Sequence, residues 1–115
     1  MNILFVCTAN KQRSLTADKI FQGDSRFFVK SAGTDKGATT WISRDILEWA
    51  DYILVMERGH RSIIRKYYPD LYAKKRIICL YIPDEYDYMD PYLIELLKDK
   101  FEFIWKTEIQ REALL

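Results

Sequence analysis

Cysteine and histidine are scarce in this sequence, and their scarcity narrows the chemistry that the chain can carry. Its 115 residues contain two cysteines and one histidine. Two cysteines do not make the disulfide framework of a small secreted domain. So few sulfur and imidazole ligands also argue against a dedicated transition-metal site. A free cysteine suits a reducing compartment, so we expect a cytoplasmic protein that needs neither a metal nor another cofactor.

Long apolar runs and an excess of one charge are missing as well. No stretch approaches the length that crosses a membrane, and the first residues lack the basic and apolar regions of a signal peptide. With 18 basic and 17 acidic residues the net charge is +1, whereas a nucleic-acid partner requires a basic face. We therefore expect no membrane and no nucleic-acid partner, and the length fits one domain over residues 1–115.

Four apolar runs alternate with helical patterns, which predicts an α/β fold. The runs cover residues 2–6, 27–31, 52–56 and 76–82, and they are nearly continuous, as in strands covered on both faces. Apolar residues recur at helical spacing over residues 17–21, 42–49, 63–67 and 91–104. Such alternation implies a parallel sheet with helices on both faces, which binds ligands at the carboxyl ends of its strands.

The segment directly after the first run is the most informative. Cys7 ends the run, and Arg13 follows after five intervening residues, where the first helical pattern begins. Free N–H groups at a helix start and in a curled turn bind phosphate, and an arginine fork matches phosphate oxygens two at a time. The same environment favours a cysteine thiolate, a nucleophile for phosphorus. The predicted phosphate-binding residues are Thr8, Ala9, Asn10, Lys11, Gln12, Arg13 and Ser14.

This loop contains no glycine, although a phosphate cradle usually needs one residue with positive φ. Asn10 is the predicted residue, because asparagine tolerates that region best after glycine. Ser14 is expected to donate a hydrogen bond to the cysteine sulfur. Lys11 either favours anionic substrates or is an ordinary surface charge. The alternative for the whole segment is a buried structural cysteine followed by a solvated arginine.

Four segments, in this order along the chain, resemble the low-molecular-weight protein tyrosine phosphatase family, in particular a short bacterial-type member. They are Cys7 with Arg13 and Ser14, residues 31–34, residues 51–57, and residues 90–92. The first and the last carry the specific motifs of the family, whereas the middle two report its fold. The resemblance implies a three-layer α/β/α fold with a four-stranded parallel sheet in the order 2-1-3-4.

The resemblance also implies a metal-free, two-step phosphatase. Cys7 would form phosphocysteine, Arg13 would hold the phosphoryl group, and Asp90 would protonate the leaving phenol and later deprotonate water. The implied substrates are small aryl phosphates or phosphorylated protein, including phosphotyrosine, and the product is inorganic phosphate.

A non-catalytic module that binds phosphate or phosphopeptide is the alternative. An arsenate reductase of the same fold would need further cysteines after the third strand, and residues 57–68 contain none.

Other side chains have both a functional and a structural interpretation. Trp41, Tyr88 and Tyr92 are predicted to line a substrate pocket, with partial core packing as the alternative. Asp90 precedes proline, an ordinary helix start, so its carboxylate also fits a capping role. The lone histidine, His60, is predicted to be structural. The acidic residues before Asp90, namely Asp84, Glu85 and Asp87, fit a solvated loop, from which one carboxylate could replace Asp90.

The sequence departs from the family pattern at three places. Gln12 stands where many members have a second cysteine, residues 35–50 form a shortened substrate-side segment, and Leu93 replaces a second aromatic residue.

Cys79 lies in the fourth predicted strand. In the predicted order this strand is two places from that of Cys7, about 9–10 Å away, beyond the reach of a disulfide.

Overall fold

The computed structural model describes residues 1–114, in which strands and helices alternate. In chain order the elements are β1 (Asn2–Cys7), α1 (Arg13–Phe21), β2 (Phe28–Gly33), α2 (Arg44–Trp49), β3 (Tyr52–Val55), α3 (Arg58–Tyr67), α4 (Pro69–Lys74), β4 (Arg76–Cys79), α5 (Pro91–Ile104), a π-helical turn (Trp105–Ile109) and α6 (Gln110–Ala113). No helix within residues 1–114 is both long enough and apolar enough to cross a bilayer.

The four strands form one parallel sheet in the order β2-β1-β3-β4, which confirms the predicted fold and strand order. β1 lies inside the sheet, where Cys7 pairs with Gly33 of β2 and Val6 pairs with Val55 of β3. The carboxyl end of β1 is therefore flanked by the carboxyl ends of two other strands. Parallel sheets bind their ligands at this edge.

Helices cover both faces of the sheet, so the predicted three layers are present. Ile3 and Phe5 of β1 pack in the layer that contains α1 and α5, whereas Leu4 and Val6 pack in the layer that contains α2, α3 and α4. All four side chains are fully buried. Burial on both faces explains why this strand reads as a continuous apolar run.

The fourth strand is shorter than the apolar run predicts. It ends at Cys79 rather than at residue 82, because the backbone of Tyr81 adopts a φ of 55° and bends the chain. The N–H of Ile82 still donates to the carbonyl of Met56 at 2.9 Å. The bend brings the main chain at Ile82 beside the start of α1, where its carbonyl accepts from Arg13.

The sequence pattern predicts no helix at α4 or after α5. Proline normally ends a helical pattern, but Pro69 occupies the first turn of α4, where its missing N–H is harmless. Leu71 is the only buried residue of this helix among those described, so α4 has no apolar periodicity to detect. The final turns bury a single side chain, Ile109, and make polar contacts in which Glu112 accepts from Tyr52 Oη at 2.8 Å and from Arg76 Nε at 2.9 Å.

Candidate active site

The loop between β1 and α1 encloses the sulfur of Cys7. The backbone N–H of Asn10 donates to Cys7 Sγ at 3.2 Å, and Ser14 Oγ lies 2.9 Å from the same sulfur. Asn10 has a φ of 54°, which confirms the predicted positive-φ residue. α1 begins at Arg13 directly after the loop, so the free N–H groups of its first turn lie beside the cysteine.

The side chain of Asn10 fixes this arrangement from within the loop. Its Nδ2 donates to Ser14 Oγ at 2.8 Å, and its Oδ1 accepts from the N–H of Thr40 at 3.2 Å. Because Ser14 Oγ accepts from Asn10, its own proton is available to the sulfur at 2.9 Å or to the carbonyl of Ala32 at 3.3 Å. The structure thus places Ser14 within hydrogen-bond distance of Cys7, where the sequence predicts a donor.

The segment after β2 supports the back of the loop. Three of its N–H groups donate to successive loop carbonyls: Thr34 to Cys7 at 2.9 Å, Asp35 to Thr8 at 3.0 Å, and Thr39 to Ala9 at 3.1 Å. With these carbonyls bound, the N–H groups on the other side of the loop remain for an anion. Within residues 1–114 the N–H groups of Ala9, Lys11 and Gln12 have no acceptor.

Gly33 allows this close approach. A Cβ at this position would lie 2.4 Å from the carbonyl oxygen of Thr8 and 2.7 Å from the Cβ of Ala38. Any larger residue would push the supporting segment away from the loop. The sequence of residues 31–34 mainly indicates the fold, whereas the structure shows that this segment directly supports the loop.

Arg13 is buried and held at one edge of its guanidinium. Nη1 donates to Glu57 Oε2 at 2.6 Å and to the carbonyl of Ile82 at 2.9 Å, and only 2% of the side chain is exposed. The opposite edge of the guanidinium presents two parallel N–H donors, from Nε and Nη2, and this pair fits two oxygens of an oxyanion. Asp84 Oδ1 lies 3.7 Å from Nε. One residue of the acidic loop, Asp84, is therefore close to Arg13, although the two residues are far apart in the sequence.

Glu57 couples Arg13 to the start of α3. It is the N-cap residue of α3, and the hydrogen bond from Arg13 lowers the pKa of Glu57, although burial acts in the opposite direction. Glu57 therefore stays ionised opposite the buried guanidinium. The two residues are 44 positions apart in the chain, so sequence spacing alone offers no signal for this pair.

His60 links the same helix to the first residue of the loop. Its Nδ1 accepts from the N–H of Glu57 at 3.0 Å, which requires an unprotonated Nδ1 and leaves the proton on Nε2. Nε2 then donates to Thr8 Oγ1, 2.9 Å away. Burial, together with the charge of Arg13, lowers the pKa of His60 to about 4. The histidine is therefore neutral near pH 7, as this hydrogen-bond pattern needs.

Asp90 caps α5. Its Oδ1 accepts from the N–H of Tyr92 at 2.8 Å. The preceding residue, Met89, has a φ of 61°, and its N–H donates to Thr16 of α1 at 3.0 Å. The end of the acidic loop is therefore tied to the helix that starts at Arg13. The capping role of Asp90 is present in the structure, and its role as an acid remains a prediction.

The three aromatic residues predicted for a substrate pocket are all solvent-exposed, by 50% for Trp41, 46% for Tyr88 and 77% for Tyr92. Trp41 forms a bridge with Gly33 and lines a cavity of about 620 Å³ together with residues of α3. Tyr88 and Tyr92 do not line that cavity. The structure therefore does not place the three rings around this one cavity.

The two cysteines are free thiols on separate strands. Cys7 ends β1 and Cys79 ends β4, and β3 lies between these strands. Among residues 1–114, no three histidine, cysteine or carboxylate side chains are grouped as metal ligands.

Solved structures with this fold include two tyrosine phosphatases. The low-molecular-weight protein tyrosine phosphatase SP-PTP from Streptococcus pyogenes is 15% identical to this chain, with a TM-score of 0.73, and the match covers 98% of this chain and 96% of that one. The tyrosine phosphatase Wzb from Escherichia coli K30, solved with phosphate, is 21% identical, with a TM-score of 0.70 and coverages of 92% and 97%.

A third similar structure is the YwlE arginine phosphatase from Geobacillus stearothermophilus. It is 21% identical, with a TM-score of 0.69, and the match covers 96% of each chain. No protein-family model and no curated protein sequence matches this chain. The resemblance inferred from the sequence is confirmed at the level of the fold, which is that of low-molecular-weight protein tyrosine phosphatases over nearly the full chain.

Proposed function

We propose that this protein is a phosphatase that uses Cys7 as its nucleophile and forms a phosphocysteine intermediate. The observation that carries the proposal is the position of the Cys7 sulfur, 2.9 Å from Ser14 Oγ and 3.2 Å from the N–H of Asn10, inside a loop of free N–H groups. O–H and N–H donors at a helix start stabilise a thiolate. The same N–H groups bind the phosphate that the thiolate attacks.

In the first step, the Cys7 thiolate attacks phosphorus opposite the leaving oxygen. The sulfur–phosphorus bond forms as the bond to the leaving oxygen breaks. Arg13 neutralises the charge on the equatorial oxygens through Nε and Nη2, while Glu57 and the carbonyl of Ile82 hold Nη1. Asp90 donates its proton to the leaving oxygen, so a phenol departs rather than a phenolate.

In the second step, water attacks the phosphocysteine. The Asp90 carboxylate takes a proton from that water, the sulfur–phosphorus bond breaks, and inorganic phosphate leaves. The thiolate and the protonated Asp90 are regenerated, so the cycle balances without a metal or another cofactor. Ser14 stabilises the departing thiolate through the contact at 2.9 Å.

The proposed substrates are aryl phosphate monoesters, including phosphotyrosine in proteins. Their leaving group benefits from an acid at Asp90. Phosphoarginine is the second substrate class, because a solved structure that shares this fold is an arginine phosphatase. Since Cys7 must remain a free thiol, we place the reaction in a reducing compartment such as the cytoplasm.

Hydrolysis of p-nitrophenyl phosphate without added metal tests the proposal. We expect turnover by the unmodified protein, and Cys7→Ser should abolish turnover while inorganic phosphate still binds. Phosphotyrosine and phosphoarginine, supplied as free amino acids and in peptides, then separate the two substrate classes. A module that only recognises phosphopeptides would bind them without turnover in either form, and that result would overturn the proposal.

A further inference from the structure

A groove with aromatic and basic walls lies beside the candidate active site. It encloses about 620 Å³ between the segment that follows β2 and the helix α3. The walls that matter here are Asp35, Lys36, Trp41, Ile63, Lys66 and Tyr67. We call this cavity the α3 groove. The proposed chemistry at Cys7 uses none of these side chains.

Both walls of the α3 groove are attached to the phosphate loop. On one side, the N–H of Asp35 donates to the carbonyl of Thr8 at 3.0 Å. On the other side, His60 of α3 contacts Thr8 Oγ1 at 2.9 Å. A rigid loop thus fixes the groove relative to any phosphate that the loop holds.

The distance from loop to groove suits a peptide. Ile63 and Tyr67 follow His60 by three and seven residues on one helix, which is about 5–10 Å of axial rise. An extended peptide spans about 3.3 Å per residue. Residues roughly two or three positions from a phosphorylated side chain therefore reach the groove.

The charge of the groove favours an acidic ligand. Lys36 and Lys66 line it against one carboxylate, Asp35, and none of the three forms an ion pair with another side chain within residues 1–114. α3 carries four cationic side chains, Arg58, Arg61, Arg65 and Lys66, and no carboxylate. This local excess of positive charge contrasts with the net charge of the whole chain, which is +1.

The aromatic rings supply contact area for the same ligand. Trp41 is 50% exposed and Tyr67 is 63% exposed, although exposed aromatic rings favour burial against a partner. The Nζ of Lys66 lies 5.3 Å from the centre of the Tyr67 ring, so the cation and the ring are presented together.

We infer that the α3 groove binds acidic residues that flank the phosphorylated residue of a protein substrate. The inference rests on the proposed phosphatase function and adds the substrate class: phosphoproteins with carboxylates within about three residues of the phosphorylated side chain. Lys36 and Lys66 attract those carboxylates, and Trp41 with Tyr67 contacts the adjoining side-chain stems. The groove thereby sets the preference among substrates that share one phosphate site.

Two matched phosphotyrosine peptides test this specificity. The acidic peptide carries Asp and Glu at the flanking positions, and the neutral peptide carries Asn and Gln there. An exposed ion pair contributes about two- to fivefold, so two lysines predict a kcat/KM about tenfold higher for the acidic peptide. In the Lys36→Gln/Lys66→Gln double variant this ratio should fall to about twofold or less. Added salt should reduce the ratio in the unmodified protein.

A matched control removes a lysine from the opposite layer. Lys98 is exposed on α5, whereas α3 packs on the other face of the sheet. Lys98→Gln should keep the full preference for the acidic peptide. In all three proteins the kcat/KM for p-nitrophenyl phosphate, which has no flanking residues, should agree within about twofold. Equal rates on both peptides in the unmodified protein, or a preference that survives in the double variant, would overturn the inference.

Binding to the Cys7→Ser variant separates this inference from the proposed function. The dissociation constants of the two peptides should again differ about tenfold, and the lysine substitutions in this background should remove the difference. Turnover of p-nitrophenyl phosphate without any peptide preference would support the phosphatase function and overturn the inference that the α3 groove binds acidic residues. If there is no turnover but the acidic peptide binds more tightly, the phosphatase function is overturned and the α3 groove is supported as a phosphopeptide-binding surface.

Discussion

At the residue scale, the Cys7 sulfur, the proposed nucleophile, is held by neighbours to which the proposal gives no covalent role. Asn10 holds a positive φ and bonds both Ser14 and Thr40, while Ser14 contacts the sulfur. The sequence predicts Asn10 because the loop lacks glycine. It offers no such signal for Glu57, whose role depends on a partner that folding brings from 44 positions away.

Two substitutions of Asn10 separate its backbone from its side chain. Asn10→Ala loses the buried hydrogen bonds and keeps a Cβ at positive φ without the polar side chain that lets asparagine tolerate this region, so we expect about 2–3 kcal/mol lower stability. Asn10→Gly loses the same bonds without the strain and should be less destabilised, by about 1 kcal/mol relative to Ala. Urea unfolding measures both values. Equal stability of the two variants would contradict a strained backbone at this position.

His60 gives the protein a predictable pH dependence. Its pKa is about 4 in the folded state against its usual 6.5. Below pH 6.5 the unfolded chain binds a proton that the folded state excludes, so stability falls as the pH decreases toward 4. Between about pH 7.5 and pH 5 the free energy of unfolding should fall by about 2 kcal/mol.

The control for this pH dependence is His60→Gln, because the chain contains no other histidine. The variant should unfold with nearly constant free energy across the same pH interval, in which most carboxylates do not titrate. A pH profile that is identical in the two proteins would show that His60 is not buried in its neutral form.

At the element scale, helix starts place most of the site. α1 begins at Arg13, α3 is capped by Glu57, and α5 is capped by Asp90. The start of α5 could be predicted because an aspartate precedes a proline there. The start of α4 could not, because Pro69 reads as a stop in a segment with one buried side chain.

Asp90→Asn separates helix capping from acid catalysis. Asparagine caps helices about as well as aspartate, so stability should change by less than about 0.5 kcal/mol. Turnover of a phosphate ester with a poor leaving group should fall at least about tenfold, because only that group needs the proton. Turnover of a good leaving group should fall much less.

The comparison needs two aryl phosphates, p-nitrophenyl phosphate and phenyl phosphate, measured at the same pH. Equal slowing of both substrates would remove Asp90 from the acid role. Asp90→Ala serves as the control for the cap, since it should lose about 1 kcal/mol of stability in addition to activity.

At the scale of the whole molecule, the sheet order assembles the site. The order β2-β1-β3-β4 surrounds the end of β1 with the segments that follow β2 and β3. This order is implied by the family resemblance, and the apolar runs alone leave it open. The contacts among Gly33, Thr8 and His60 could not be predicted, because they depend on packing between elements that are distant in the sequence.

Binding of inorganic phosphate should stabilise the whole fold. A ligand that binds only the folded state adds about 2.7 kcal/mol to the free energy of unfolding at a hundred times its Kd. Thermal unfolding with increasing phosphate should therefore show a rising midpoint. Arg13→Ala should lose most of this increase, whatever its own stability, since the comparison is made within each variant. An equal increase in both proteins would place phosphate elsewhere on the molecule.

Mapping the covalent intermediate tests the central claim most directly. Acid quench of Asp90→Asn during turnover of p-nitrophenyl phosphate, followed by mass spectrometry of its peptides, should find one phosphoryl group on the peptide that contains Cys7. Cys7→Ala in the same background should yield neither adduct nor turnover. Turnover that persists in Cys7→Ala, or a phosphoryl group found only on another residue, would contradict the account.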